Sequence, residues 1–147
     1  MGGYLKQKGE NGKKNKKAII AILVIILIMS LPVLYTFISG LDVTVSDKEI
    51  SIGGLYGTTI PLNEIKKMRL CSSVHDISMK TNGFALAKTR LGHFRTTKGE
   101  GIMLFTHSDS YFICIVRTNG ATYYLSSKDK EATDQLFMEL QSKNGNR

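Results

Sequence analysis

The chain has 147 residues, a formal net charge of +8 and two cysteines. Six lysines and one glutamate before residue 18 supply +5 of that charge, so residues 41–147 carry only +3. This distribution argues against a nucleic-acid-binding domain, which concentrates positive charge on a folded surface. The length after position 40 suits one domain with one core.

Residues 18–38 are an uninterrupted run without a charged side chain, AIIAILVIILIMSLPVLYTFI. At 1.5 Å per residue, such a run crosses a hydrocarbon core of about 30 Å as one helix. We therefore predict a basic N-terminal tail over residues 1–17 and a transmembrane helix over 18–38. Pro32 lies inside it and is expected to bend it.

The lysines before the span predict its orientation. Basic residues flanking a span stay on the cytoplasmic side, so we expect a cytoplasmic N-terminus and an extracytoplasmic C-terminal domain. A cleaved signal peptide is the alternative, but the apolar run exceeds the usual 7–15 residues and no A-x-A-like site follows it. The sequence favours an uncleaved anchor in the cell membrane.

After residue 40 the pattern changes to short alternating segments, which is typical of β-strands. Asp47-Lys48 separates two such segments and predicts a hairpin. We expect a turn at Thr81-Asn82-Gly83, with positive φ angles at Gly83 and Gly92. Residues 84–91 fit either a helical turn or an irregular loop. Further on, turns are predicted at residues 98–101 and at Asn119-Gly120, the second joining the last two strands.

A helix closes the domain. Ser126 or Ser127 is expected to cap it, with Asp129 three residues after Ser126 as in a capping box. Its apolar stripe is predicted to contain Ala132, Leu136, Phe137 and Leu140. We place the β domain at residues 41–142 and a polar tail at 143–147.

Four segments together resemble the bacterial pleckstrin-homology-like (PH-like) domain family: VTVSDKEISIGGLYGTTIPLNEI, KTNGF, LGHF and SSKDKEATDQLFMEL. The resemblance covers about residues 41–141. It implies a mainly β fold, a seven-stranded barrel or sandwich capped by a C-terminal α-helix. Eukaryotic relatives often bind phosphoinositides through a basic loop between the first two strands. Here that turn is Asp47-Lys48 followed by Glu49, so this property does not transfer.

The sequence offers no catalytic or metal-binding motif, and we expect neither an enzyme nor a cofactor. Cys71 and Cys114 are predicted to lie in strands, where they are either buried small side chains or, outside the cytoplasm, a disulfide. Three scattered histidines and these two cysteines lack zinc-site spacing.

The clearest charge asymmetry lies in residues 65–98, which hold +7, compared with −3 for 41–64 and −1 for 99–147. Eight residues are candidates for binding an anionic partner: Lys66, Lys67, Arg69, Lys80, Lys88, Arg90, Arg95 and Lys98. They either form one basic face or are solvated charges that protect strand edges. Met79, Phe84, Leu86 and Leu91 are expected to complete the core, or else to line a groove.

These features predict a single-pass membrane protein whose PH-like domain binds or scaffolds at the membrane surface. The expected partner is a protein or an anionic lipid headgroup. The alternative is a small-molecule or lipid sensor with its ligand near residues 79–94.

Overall fold

The computed structural model describes residues 3–38 and 41–145. The chain divides into two units, Met1–Ser39 and Gly40–Arg147, and each is described by itself. The first contains one helix, α1 (Gly3–Ile38), which includes the predicted transmembrane segment 18–38 and extends from it toward the N-terminus. Its segment Asn15–Pro32 has a mean hydropathy of 1.9, contains no buried residue, and is long and apolar enough to cross a membrane. The Ser30 hydroxyl donates a hydrogen bond to the Leu27 carbonyl at 2.8 Å, which satisfies this polar group within the helix.

The second unit contains nine strands in its described part, where the resemblance implied seven. They are β1 (Val43–Val45), β2 (Glu49–Ile52), β3 (Thr58–Pro61), β4 (Ile65–Cys71), β5 (Ile77–Leu86), β6 (Thr89–Thr96), β7 (Gly101–Thr106), β8 (Phe112–Arg117) and β9 (Thr122–Ser126). The helix α2 (Lys130–Gly145) follows them. The mainly β class with a C-terminal helix is therefore confirmed.

The strands form two sheets. A small antiparallel sheet has the order β1-β2-β3, and a six-stranded sheet has the order β4-β8-β9-β7-β6-β5. All pairs in the larger sheet are antiparallel except β7 and β9, which run parallel. The predicted hairpins at Asp47-Lys48, at residues 98–101 and at Asn119-Gly120 are all present.

Two predictions between residues 81 and 91 are wrong. Thr81-Asn82-Gly83 is not a turn but lies inside β5, which pairs with β6 over its whole length. Residues 84–91 are neither a helical turn nor a loop, because they form the tip of this β5–β6 hairpin around Ala87 and Lys88. Ala87 has a φ of 50° there, a left-handed conformation that the sequence did not signal.

The helix cap also differs from the prediction. Asp129, rather than Ser126 or Ser127, caps α2, since its carboxylate accepts the Ala132 backbone N–H at 2.7 Å. The Thr133 hydroxyl donates to the Asp129 carbonyl at 2.8 Å and accepts the Ser127 N–H at 3.0 Å. This arrangement fixes the angle at which the chain enters the helix. Of the predicted stripe, Leu136, Phe137 and Leu140 pack on the main core.

The six-stranded sheet buries apolar side chains on both faces. We call the face toward the small sheet and α2 the inner face; it contributes Phe105, Ile113, Ile115, Tyr123 and Leu125. The other, or outer, face contributes Phe94, Ile102, Leu104, Phe112, Cys114 and Tyr124. Val74, in the connection between β4 and β5, and Ile77, the first residue of β5, pack against this outer face, so the connection lies over part of it.

That connection constrains the shape of the sheet. β4 and β5 are its two edge strands, and in a flat sheet six strands wide they would be about 24 Å apart. The chain from Cys71 to Ile77 spans at most about 21 Å when fully extended. The sheet must therefore curl so that its edges approach, which draws residues 72–76 tightly across the outer face.

Candidate functional site

The eight candidate basic residues separate into two groups. Five of them belong to the β5–β6 hairpin or the turn that follows it: Lys80, Lys88, Arg90, Arg95 and Lys98. We call residues 77–98 the basic arm; it contains no aspartate or glutamate. The other three, Lys66, Lys67 and Arg69, lie on β4 at the opposite edge of the sheet order. The eight residues are therefore distributed over two strand pairs, β5–β6 and β4–β8.

The basic arm presents charge together with apolar side chains. Four of its cations are exposed, and Arg90 is half-buried with its guanidinium 3.7 Å from the Asp109 carboxylate. Leu86 and Met79 are 66% and 55% exposed. The prediction that both complete the core is therefore wrong. Leu91, by contrast, packs against the main core as expected.

The edge of β5 that does not pair with β6 is poorly suited to pairing with another strand. The β5–β6 register shifts between Ile77 and Met79 and again between Lys80 and Asn82, and such bulges twist an edge away from a flat template. The Ser78 and Thr81 hydroxyls donate to β6 carbonyls at 3.0–3.1 Å. This edge thus presents side chains and not a regular row of backbone groups.

Two glycines let β5 and β6 approach closely. A side chain at Gly83 would place its Cβ 2.5 Å from the Leu91 carbonyl oxygen, and one at Gly92 would lie 2.6 Å from that of Asn82. Gly92 has a φ of +102°, as predicted, whereas Gly83 does not have a positive φ. Gly83 is therefore required by the close approach of the strands and not by its backbone conformation.

A shallow cleft of about 330 Å³ touches part of the region proposed for a sensor ligand. Thr81 and residues 93–95 form one side, and residues 101–103 with 121 and 122 form the other. Among the described residues, no group of three His, Cys, Asp or Glu side chains is placed to hold a metal ion.

The sequence did not indicate a second cleft, of about 410 Å³, at the top of β4. Residues 69–75 and Tyr124 line it. Cys71 is half-buried at its wall, while Cys114 beneath is only 2% exposed. In the β4–β8 register Arg69 lies opposite Cys114 and Cys71 lies opposite Phe112, so the two cysteines are diagonal neighbours on the outer face.

The pKa values of the two thiols shift in opposite directions. The pKa of Cys114 falls to about 6, mainly through its interaction with the Cys71 thiol and then through Arg69 and Tyr124, which together outweigh burial. The same interaction, with burial, raises the pKa of Cys71 above its usual range. The Cys71 thiol itself donates a hydrogen bond to the Phe112 carbonyl at 3.7 Å. The two pKa shifts therefore belong to the pair of thiols and not to either residue alone.

His75 and Tyr124 complete this cluster. The buried Tyr124 hydroxyl is hydrogen-bonded to Nδ1 of His75, which belongs to the covering connection. Burial, and next the charge of Cys114, raises the pKa of Tyr124 to about 12, so the hydroxyl keeps its proton. The sequence placed Cys71 and Cys114 in strands, but only the register of β4, β8 and β9 brings them beside Tyr124.

Two β-sheets with a C-terminal helix packed on their shared core define the domain as PH-like. Residues 41–143 match the family model described as a bacterial PH domain, and the chain belongs to that family. No curated protein and no solved structure matches the chain.

Proposed function

We propose that this chain is a single-pass membrane protein whose PH domain binds an anionic partner at the membrane surface through the basic arm. The observation that carries the proposal is the arm itself: five cations, with no carboxylate among residues 77–98. Its exposed Leu86 and Met79 provide apolar contact beside the charges. An anionic lipid headgroup or an acidic protein surface has the complementary chemistry.

The anchor rests on the apolar segment of α1 and the lysines that precede it. We infer a cytoplasmic N-terminus and an extracytoplasmic PH domain from these lysines. The test is an Asn119→Cys variant, in a background with both native cysteines changed to serine, treated in whole cells with an impermeant maleimide. Labelling of intact cells is expected. Labelling only after permeabilisation would reverse the orientation, and secretion of a shortened chain would indicate a signal peptide.

Binding by the arm is tested with two matched charge reversals in the full chain. Lys80→Glu/Lys88→Glu changes the arm, whereas Lys66→Glu/Lys67→Glu changes the same number of charges on β4. The protein is reconstituted in nanodiscs of neutral lipid and mixed with vesicles of phosphatidylglycerol and phosphatidylcholine. Since each lysine near an anionic surface contributes about 1 kcal/mol, the arm variant should bind at least about tenfold more weakly, and the β4 variant much less so.

The outcomes separate the possible partners. Loss of vesicle binding in the arm variant alone supports lipid headgroups. If no vesicle binds, photo-cross-linking from position 81 in membranes should capture a protein in the unchanged chain and not in the arm variant, which supports an acidic protein partner. Equal loss in both variants, or neither kind of binding, overturns the role of the arm.

A sensor role remains the second candidate, favoured by the cleft that touches Thr81 and residues 93–95. A ligand held there stabilises the folded domain by mass action. A thermal-shift screen of metabolites and lipids, repeated on Thr81→Trp to fill the cleft, tests it. A shift that persists in the filled variant would place the ligand elsewhere.

A further inference from the structure

The cleft at the top of β4 contains an unassigned pair of thiols. We propose that Cys71 and Cys114 form a reversible redox pair that accepts oxidising equivalents from a small-molecule or protein disulfide. The geometry supports this in three ways. The two residues are diagonal neighbours on adjacent antiparallel strands, Cys71 lines an open cleft, and Cys114 lies buried beneath it.

The division of roles follows from burial. An external disulfide meets Cys71 at the cleft wall, while Cys114 is only 2% exposed and is reached only through its neighbour. In the reacting form of the singly deprotonated pair Cys114 holds the remaining proton, and the Cys71 thiolate attacks the external disulfide. A new S–S bond forms at Cys71, the external S–S bond breaks, and one thiolate leaves.

The second step closes the internal bond. The departing thiolate takes the proton of Cys114, and the Cys114 thiolate then attacks the Cys71 sulfur. The mixed S–S bond breaks and the second external thiolate leaves. In sum, one thiol, one thiolate and one external disulfide give the internal disulfide, one free thiol and one free thiolate, so that atoms, charge and electrons balance.

The fold makes this bond reversible. Diagonal positions on a regular ladder are about 7–8 Å apart, slightly beyond the Cα separation that disulfides usually span. β4 must therefore shift, which an edge strand with one neighbour permits, and the bond remains strained and easily reduced. Arg69 lies opposite Cys114. Oxidation of the singly deprotonated pair removes its negative charge there, which makes the β4 edge more basic.

The test is a thiol count of the full chain in detergent, equilibrated in glutathione buffers of increasing oxidised fraction and analysed by intact mass. The unchanged chain should lose both thiols together and become lighter by two hydrogen atoms. Cys114→Ser should instead keep glutathione on Cys71, and Cys71→Ser should remain largely unmodified. Two free thiols at the most oxidising ratio, or glutathione accumulating on the unchanged chain, overturns the proposal.

The rate of the reaction gives a second readout that a merely structural role would not change. In the unchanged chain the rate of disulfide formation should stay nearly constant as the pH is lowered from neutral. At lower pH it should decline, with a midpoint near the pKa of Cys114, about 6. Arg69→Gln removes one group that stabilises the thiolate and should move this midpoint upward. Lys67→Gln, the matched control on the same strand, should not. Equal profiles for both variants would contradict a role for Arg69 as a positioning residue.

Discussion

The two faces of the six-stranded sheet differ in composition and in what covers them. On the inner face, four fully or almost fully buried apolar residues, Phe105, Ile113, Ile115 and Leu125, pack beneath the small sheet and α2. The outer face mixes apolar residues with Cys114 and Tyr124, and a five-residue connection crosses it. The inner face is therefore suited to stabilising the fold, whereas the outer face holds the proposed redox pair next to a cleft.

The largest expected effect compares one leucine from each face. Leu125 on the inner face and Leu104 on the outer face are both fully buried on neighbouring strands. Leu125→Ala should cost about 4 kcal/mol of unfolding free energy, because two packed layers surround the cavity and relax little. Leu104→Ala should cost about 2 kcal/mol, since the thin cover can move into the space.

The measurement is chemical denaturation of both variants, followed by circular dichroism. A larger loss for Leu104→Ala would mean that the connection is rigid and that the outer face is as well sealed as the inner one. If residues 72–76 move into the cavity left by Leu104→Ala, the reactivity of the thiols in the neighbouring cleft should change. Equal thiol reactivity in Leu104→Ala and the unchanged chain would therefore argue against this movement.

A smaller effect is expected from two neighbouring tyrosines on opposite faces. Tyr124→Phe removes the hydroxyl bound to His75, and Tyr123→Phe removes one that accepts from the Arg117 guanidinium at 3.1 Å. Each change should cost about 1 kcal/mol, the usual net contribution of a hydrogen bond. Only Tyr124→Phe should also raise the pH at which Cys114 loses its proton, because only Tyr124 interacts with that thiol.

Thermal unfolding measures the loss of stability in each variant. The pH dependence of thiol alkylation measures the pH at which Cys114 loses its proton. The comparison fails if Tyr123→Phe changes the alkylation profile as much as Tyr124→Phe does. In that case the effect would come from a general loosening of β9 and not from the hydroxyl at the cleft.

Local patterns were sufficient to predict much of the fold. Alternation around Asp47-Lys48 and Asn119-Gly120 identified two hairpins, because turn residues and period-two patterning act over a few positions. The same reasoning failed at residues 81–91. Thr81-Asn82-Gly83 has turn composition, but the close packing of Gly83 against Leu91 is a contact between strands that local sequence does not encode.

The thiol cleft shows a different limit. Cys71 and Cys114 are 43 residues apart, and their proximity depends on a pairing between β4 and β8 that no local signal specifies. Likewise, the sequence identified eight cations, but their distribution over two strand pairs, β5–β6 and β4–β8, depends on the strand order. Short-range order was therefore predictable, whereas the arrangement of side chains from distant strands was not.

The smallest expected effect concerns an ion pair at the periphery of the inner face. The Lys143 ammonium lies 2.6 Å from the Asp47 carboxylate and links the end of α2 to the β1–β2 turn, but both groups are solvated. Lys143 lowers the pKa of Asp47, mainly through this hydrogen bond, and Asp47 raises the pKa of Lys143. Lys143→Gln should lower the melting temperature only slightly, since exposed pairs contribute little and are screened by salt.

The sign of each pKa shift gives the pH window for this difference. Because the folded pKa of Asp47 lies below its ordinary value of 3.8, its stabilisation is present above that pH and disappears as the pH falls through the folded pKa. The contribution of Lys143 is present below 10.5 and disappears as the pH rises through its raised pKa. The difference between Lys143→Gln and the unchanged chain should therefore be constant at neutral pH and vanish in acid or in high salt. A large, salt-insensitive difference in stability would mean that the packing of the inner face depends on this ion pair. The contrast between an inner face stabilised by its own apolar contacts and a thinly covered outer face would then no longer hold.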